Sequence, residues 1–394
     1  MKSFIIFIVL LISNWSHAQQ LRIGVLRDYK IQRIIFSYNN GSYTIIGDTT
    51  SFGSILQNEF VDVSTAPNGK ISLKKGVIDL GTFSKVFISQ NYINTSVILT
   101  SKSPVVKERK YKDDFEITNS MNGEGLNIIN LVDINNYLAG VIESEGGPGR
   151  ELEYYKVQAL MSRTYAMKYN NRHAKEGFDL CDRVHCQAYH NMMKYTPIID
   201  SAVNQTKEIV MMDANGQLLD AYFHSNCGGQ TSEPEIVWNK AIPYLNSFKD
   251  TFCIYAKQAT WEKRISQYKW QKFLIEDYNY PFTDSIYGSL IFTFNQPERM
   301  AFYQSPVLGI PLRDLREQFG LKSTYFSCYP EGNEVVIKGK GFGHGVGLCQ
   351  EGAMKMSKYG YNYLQIAQFY FPNVLFKNIV TETFFRQEID QIEY

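Results

Sequence analysis

Leu126-Asn-Ile-Ile-Asn-Leu-Val132 is followed by Asp133, then by Tyr137-Leu-Ala-Gly-Val-Ile142, and then by Gly146-Gly-Pro-Gly149. The first run is apolar enough for a buried strand, and Asp133 is placed to cap a short helix through Ile142. The Gly-Gly-Pro-Gly stretch cannot continue that helix, because proline removes a donor and glycine weakens the turn. From Arg150 to about Asn170 the spacing of Leu152, Tyr155, Ala159, Met161 and Ala166 predicts a second, longer helix, with Glu151 and Glu153 in its first turn. Glu145 therefore ends one element, faces a break and precedes a long helix. That position suits a side chain presented into a cleft.

Upstream, residues 21 to about 118 read as β-rich. Runs such as Arg22-Ile-Gly-Val-Leu26 and Tyr43-Thr-Ile-Ile46 are separated by turn signals at Asn39-Asn-Gly41, Gly47-Asp48 and Asn68-Gly69. Downstream, Glu208–Met212 and Leu218–Tyr222 flank Asn215-Gly216 and predict a hairpin. Pro311–Arg316 predicts the opening of a short helix, and another is expected around Tyr363–Phe371, stopping at Pro372. The fold class expected is α+β: a mixed, β-rich core with several helices framing a cleft, preceded by a β-rich segment. The organisation expected is a signal peptide over 1–18, the β-rich segment over 19–118, a catalytic domain over 119–376 and a C-terminal tail over 377–394.

The signal peptide rests on Lys2, the nine apolar residues Phe4–Ile12 and the small-x-small site Ser16-His17-Ala18. Nine apolar residues are too few to span about 30 Å of hydrocarbon as a helix, so no stable membrane span is expected. An exported protein, periplasmic or wall-associated, follows. Of 394 residues 44% are apolar and 20% charged, which describes a folded globular chain. The 40 basic and 39 acidic residues exclude the broad basic surface that nucleic-acid binding needs. Its 27 Tyr and 25 Phe suit cores and strand pairs, and aromatic faces also suit sugar stacking.

The chemistry-bearing residues fall in three places. Cysteines stand at 181, 186, 227, 253, 328 and 349, and the first three share a stretch with His173, His185, His190 and His224. Cys181-x3-His185-Cys186 can supply two or three of the four N/S ligands that zinc takes, and in an exported chain a disulfide is the alternative. Gly341, Gly343, Gly345 and Gly347 alternate through a run holding His344 and leading to Gln350. The run lacks the Lys-Ser/Thr ending of a phosphate loop; it fits either a tight strand crossing or a cleft floor whose His344 and Gln350 bond a substrate. Glu143 and Glu145, two apart, cannot share a helical face, so at most one points into a cleft.

Taken together these motifs resemble the stage II sporulation protein D family, SpoIID/LytB. The resemblance rests on Tyr137-Leu-x-Gly140-Val-Ile-x-x-Glu145, Lys156-x-Gln158-Ala-x-x-x-Arg163-Thr-Tyr-Ala166 and Phe178-Asp-x-Cys181-x-x-x-His185-Cys186-Gln187-x-Tyr189. It continues through His224-Ser-x-Cys-Gly-Gly229-x-Thr231 and Gly341-Phe-Gly-His344-Gly-Val-Gly347-x-x-Gln350-x-Gly352-Ala353, covering roughly residues 110 to 375. The family implies a peptidoglycan lytic transglycosylase acting on glycan strands stripped of stem peptides. By motif, Glu145 matches the catalytic acid, and Arg163, Gln187, Tyr189, His344 and Gln350 fall where substrate contacts are expected. Cys181, His185 and Cys186 match a structural zinc site, with His173 as fourth ligand. The family usually has Met-Pro directly after the Glu; here Gly146-Gly147-Pro148 follows. Relatives also include amidase enhancers, so a non-catalytic wall-binding protein that works with a cell-wall amidase is the alternative. Zinc-dependent hydrolysis has less support, because no helix presents a His-x-x-x-His pair with a Glu base.

Overall fold

A computed structural model describes residues 20–120, 122–191, 194 and 197–380, so the expected signal peptide lies outside the described residues. The chain is mixed α+β, with a β-rich N-terminal region, and divides into two compact units. The first unit contains the described residues up to Lys107 together with Tyr111–Tyr137; the second contains Glu108–Lys110 and Leu138 onward. The division falls inside the helix Ile134–Gly146, just after Tyr137.

In the first unit, strand Leu126–Asp133 pairs antiparallel with Gln20–Gly24 on one side and Asp114–Asn119 on the other. The ladder continues through Lys85–Gln90 and Tyr43–Gly47 to Thr50–Ile55. A second antiparallel ladder runs Ser96–Ser103, Arg33–Asn40, Phe60–Thr65, Ile71–Lys75 and Ile78–Phe83. Phe36 of one ladder meets Phe115 of the other edge-on, with ring centroids 5.3 Å apart. Leu126–Asp133 is buried on nearly every residue, Asn130 included. Asn130 is tolerated there because its amide donates to the carbonyls of Lys112 and Asp114. Asp133 caps the following helix, its Oδ1 accepting the Asn135 N–H at 2.8 Å.

The second unit is built around the helix Leu152–Lys168, which packs against the helices Pro197–Gln205, Gln350–Lys358 and Tyr363–Tyr370 and the strand Ile209–Met212. All residues from Tyr154 to Ala166 except Lys156 are buried. A helix covered on every side is a core helix, and its polar residues must find internal partners. A three-stranded antiparallel sheet, Thr260–Ser266, Glu334–Lys340 and Phe326–Glu331, carries a separate apolar cluster centred on Trp270. The helix expected from Pro311 spans Leu312–Phe319, and the later one spans Tyr363–Tyr370.

One expectation is corrected. Residues 208–222 do not form a full hairpin: Met212 and Leu218 share a single bridge, and the partner of Ile209–Met212 is Leu375–Asn378. The Asn215-Gly216 turn does form, tied by Asp213 Oδ1 to the amides of Asn215 and Gln217. Leu218–Tyr222 leaves the pairing because Asp220 is drawn into an ion pair with Lys168 and accepts the Tyr244 hydroxyl. Tertiary contacts override local turn chemistry here.

Arg163 is 1% exposed, and its guanidinium donates to the carbonyls of Thr206, Ile209 and Val203, where helix Pro197–Gln205 ends. The Thr206 carbonyl also accepts the Ile209 N–H and the Val203 carbonyl the Thr206 hydroxyl, so the guanidinium completes bonding that is otherwise partial. Replacing Arg163 with Met keeps the bulk but removes its donations, and should cost about 1–3 kcal/mol in urea unfolding. An unchanged midpoint would show that water can replace the guanidinium.

Candidate active site

The C-terminal turn of helix Ile134–Gly146 presents three consecutive polar side chains, and each accepts a backbone N–H from one later segment. Ala188 donates to Glu145 Oε1 at 2.8 Å, His190 to Ser144 Oγ at 2.9 Å and Lys194 to Glu143 Oε1 at 3.1 Å. The Ser144 hydroxyl in turn donates to the Gly140 carbonyl. Gly140 is required for this docking, since a Cβ there would stand 2.3 Å from Cε2 of the fully buried Tyr189. Glu143, the other carboxylate beside the break, is thus occupied in holding the loop.

Glu145 is half-buried. Burial raises its carboxyl above the ordinary value of 4.5, and the Ala188 N–H opposes that rise only in part. With Oε1 accepting the amide, a proton on the carboxyl falls on Oε2. Such a group can donate a proton near neutral pH and take one back as the carboxylate. The glycine-rich break beyond it is fastened. Gly147 adopts φ +64°, and the Tyr155 hydroxyl donates to its carbonyl at 2.7 Å while accepting the Arg150 N–H.

Three residues before Tyr189, which closes on Gly140, stands Cys186, the edge of a Cys/His cluster: the ligand atoms of His173, Cys181, His185 and Cys186 all lie within 4.8 Å of one another. Cys186 Sγ is 3.4 Å from His173 Nε2 and 3.6 Å from His185 Nδ1, and Cys181 Sγ is 3.8 Å from His185 Nδ1. The hydrogen bond from the Cys186 thiol pulls Cys181 below the ordinary thiol range. His173 stacks on Phe178, and its Nδ1 sits 2.6 Å from Glu176 Oε1. That carboxylate fixes the proton on Nδ1 and leaves Nε2 as a free lone pair toward the thiols. Two thiols and two imidazoles, one oriented by a carboxylate, can hold a tetrahedral metal.

Of the residues expected at a substrate, four are placed in the interior. Arg163 closes a helix end, as described. Gln187 and Tyr189 are buried, Tyr189 against Gly140. Gln350 is buried too, its Nε2 3.4 Å from Gln158 Oε1, which accepts the Tyr154 hydroxyl at a long 3.5 Å. In this structure these four side chains are interior groups, Arg163 lying on the long core helix, Gln350 against it and Tyr189 against Gly140.

His344 stands differently. Its ring lies 5.2 Å from Trp238, 5.5 Å from His224 and 6.3 Å from Tyr222, and Trp238 remains 37% exposed. The Val346 N–H donates to His344 Nδ1, which leaves the ring proton on Nε2. Burial, with Arg316 and Arg299 nearby, lowers His344 to about 4. His224 donates from Nδ1 to the Val346 carbonyl, and its burial, with His344 and Arg299, drives it well below 6.5. Both rings are neutral at pH 7. The parallel pairing of Phe223–His224 with Leu348–Cys349 brings the two histidines together. Ser144, Tyr222 and Trp238 carry no motif that marks them in the sequence; their roles arise from three-dimensional proximity.

The architecture and site thus define an α+β protein with one half-buried carboxyl at a helix end, latched to a Cys/His loop. The family model described as stage II sporulation protein, SpoIID, matches residues 122–212. The chain is 30% identical over 253 residues to an uncharacterized protein of Brachyspira hyodysenteriae, covering 63% of this chain and 67% of that one. It is 28% identical over 262 residues to the stage II sporulation protein D of Bacillus subtilis, covering 61% and 73% respectively. With the amidase enhancer of Bacillus subtilis it shares 24% identity over 386 residues, 84% of this chain but only 53% of that protein. The chain belongs to the SpoIID/LytB family.

Glu145 gives a signed stability prediction. A raised folded value means that the protonated carboxyl favours the fold below about pH 4.5, an advantage lost as pH rises through the folded value. Glu145→Gln keeps an acceptor for Ala188 and cannot ionise. It should match the wild type in urea at pH 4 and exceed it at pH 8. A variant weaker at pH 8 would mean that the charged form is the stabilising one.

Proposed function

We propose that this chain is an exported peptidoglycan lytic transglycosylase that cleaves peptide-denuded glycan strands and leaves anhydromuramic ends. Family membership and the named relatives support a cell-wall function in coarse terms. The observation that carries the finer reading is Glu145, a half-buried carboxyl raised by burial and aimed by the Ala188 amide.

Hydrolytic glycosidases normally need two carboxylates, one as acid and one as nucleophile or base. The neighbouring Glu143 accepts the Lys194 amide, which supports a mechanism with one working carboxyl. In that mechanism Glu145 Oε2–H protonates the glycosidic oxygen as its bond to the muramic C1 breaks. The sugar's own C6 hydroxyl then closes on C1, and the Glu145 carboxylate takes the hydroxyl proton. The proton lost in the first half returns in the second, and no water is consumed. The neutral aromatic group of Tyr222, Trp238 and His344 supports stacking against the sugar rings of a glycan strand.

Zinc held by His173, Cys181, His185 and Cys186 would be structural, because four protein ligands leave no open position. It would clamp the loop that delivers the Ala188 amide to Glu145. Export rests on the N-terminal sequence; among the described residues no helix is long and apolar enough to cross a membrane.

The alternative, a wall-binding protein that enhances an amidase, is favoured by one observation: the match to the amidase enhancer runs along most of this chain. Mass spectrometry of soluble products from amidase-treated peptidoglycan separates the two. Anhydro-terminated disaccharides are expected, with kcat/KM falling about a hundred- to ten-thousand-fold in Glu145→Gln. Its alkaline limb should lie above the ordinary carboxylate range. Binding without products would favour the enhancer, and reducing-end sugars would indicate a hydrolase. Cys181→Ser should lose one zinc equivalent and lower the melting temperature.

A further inference from the structure

The motifs around Cys227 and Cys349 leave two thiols that neither the acid nor the first cluster uses, and the fold brings them to one point. Cys227, Asp250, Cys253 and Cys349 are all 0% exposed, and their four ligand atoms lie within 4.8 Å of one another. Cys227 Sγ is 3.2 Å from Cys253 Sγ and 3.3 Å from Asp250 Oδ2. We propose that these residues form a second structural metal site, taking a borderline-soft divalent ion such as zinc through three thiolates and one carboxylate.

Three arguments converge. First, the donors are of the right kind and number for a closed tetrahedral site. A disulfide would use two of the three sulfurs and leave the third thiol and the carboxylate buried together without purpose. Second, the surroundings are those of ligands. The amides of Cys227 and Gly352 point at Cys349 Sγ, at 3.3 and 3.4 Å. The Tyr370 hydroxyl donates to Asp250 Oδ2 at 2.9 Å, and the Phe252 amide donates to Oδ1. Donors aimed at sulfur and carboxylate orient them and stabilise their anionic forms. Third, room has been kept for them. A Cβ on Gly352 would stand 2.7 Å from Asp250 Oδ2 and 2.1 Å from the Tyr370 hydroxyl.

The site joins three segments that have little other regular structure in common. Cys227 follows the strand Phe223–His224, Cys349 ends the strand Leu348–Cys349 and caps the helix Gln350–Lys358, and Asp250 and Cys253 bracket a turn. An ion there would pin the paired strands that carry His224 and flank the glycine run of His344.

Metal analysis and native mass spectrometry of the purified full-length chain test this. Two zinc ions per wild-type chain are expected, with Cys253→Ser and Cys181→Ser each retaining one. A wild-type chain holding one zinc that survives in Cys253→Ser, or a Cys227–Cys253 disulfide in an alkylated peptide map, would overturn the proposal. A single zinc lost in Cys253→Ser but kept in Cys181→Ser would support this site and remove the first one instead. Should Cys253→Ser fail to fold, cobalt(II) titration of the metal-stripped wild type decides. Thiolate-to-cobalt absorption that grows through the second equivalent supports the site, as does absorption confined to one equivalent that persists in Cys181→Ser; absorption confined to one equivalent and absent from Cys181→Ser overturns it.

Discussion

The hydrogen bond from the Ala188 amide to Glu145 Oε1 is the contact on which the arrangement of the site depends. A helix end alone does not aim a carboxyl, because its last turn frays and its side chain keeps rotamer freedom. Here the aim comes from a separate segment, residues 188–191 and 194, laid along Glu143, Ser144 and Glu145. That segment has almost no regular secondary structure, so its own position must be fixed elsewhere. The buried ion pair of Arg109 with Asp182, at 2.6 Å, holds one side of it. The Cys181–Cys186 cluster holds the turn before it, and Tyr189 locks against Gly140. The placement of one carboxyl is thus distributed over a loop of irregular backbone.

Burying such a loop leaves polar groups that must be satisfied, and the core helix Leu152–Lys168 does much of this. Its Thr164 hydroxyl accepts the Met211 amide, its Arg163 closes the neighbouring helix, and its Gln158 meets both Tyr154 and Gln350. Polar residues on a fully covered helix normally weaken it. In this chain they are the joints between elements that share no ladder. Removing one partner costs more than the bond contributes, since the other is left buried and unpaired.

The same distinction explains what could be read from the sequence. The strand Leu126–Asp133, the Asp133 cap and the long helix were legible because their signals are local: an apolar run, a capping residue and a 3.6 period. The Cys/His cluster was legible, Cys181, His185 and Cys186 from their closeness in sequence and His173 through the family resemblance. The burial of Arg163, Gln187, Tyr189 and Gln350 was not legible, because a motif records that a residue is needed and says nothing about which way it points. Asp250 and Cys253 were invisible as partners of Cys227 and Cys349, being joined only by tertiary structure. The hairpin failed for a related reason, as Asp220 is held by Lys168 and Tyr244 more strongly than the turn can hold its strand.

Electrostatics tie these parts together. Burial, with Arg316 and Arg299 nearby, holds His344 down to about 4, and burial with His344 and Arg299 holds His224 well below its ordinary value. Those two rings keep one protonation state while the Glu145 carboxyl, displaced upward by burial, changes its own. The work of ionising Glu145 is set by its own desolvation and by one amide. Any clamp that holds the Ala188 loop therefore acts on Glu145 through geometry: it fixes the distance of a donor and the depth of a carboxyl, and those two quantities determine the proton affinity.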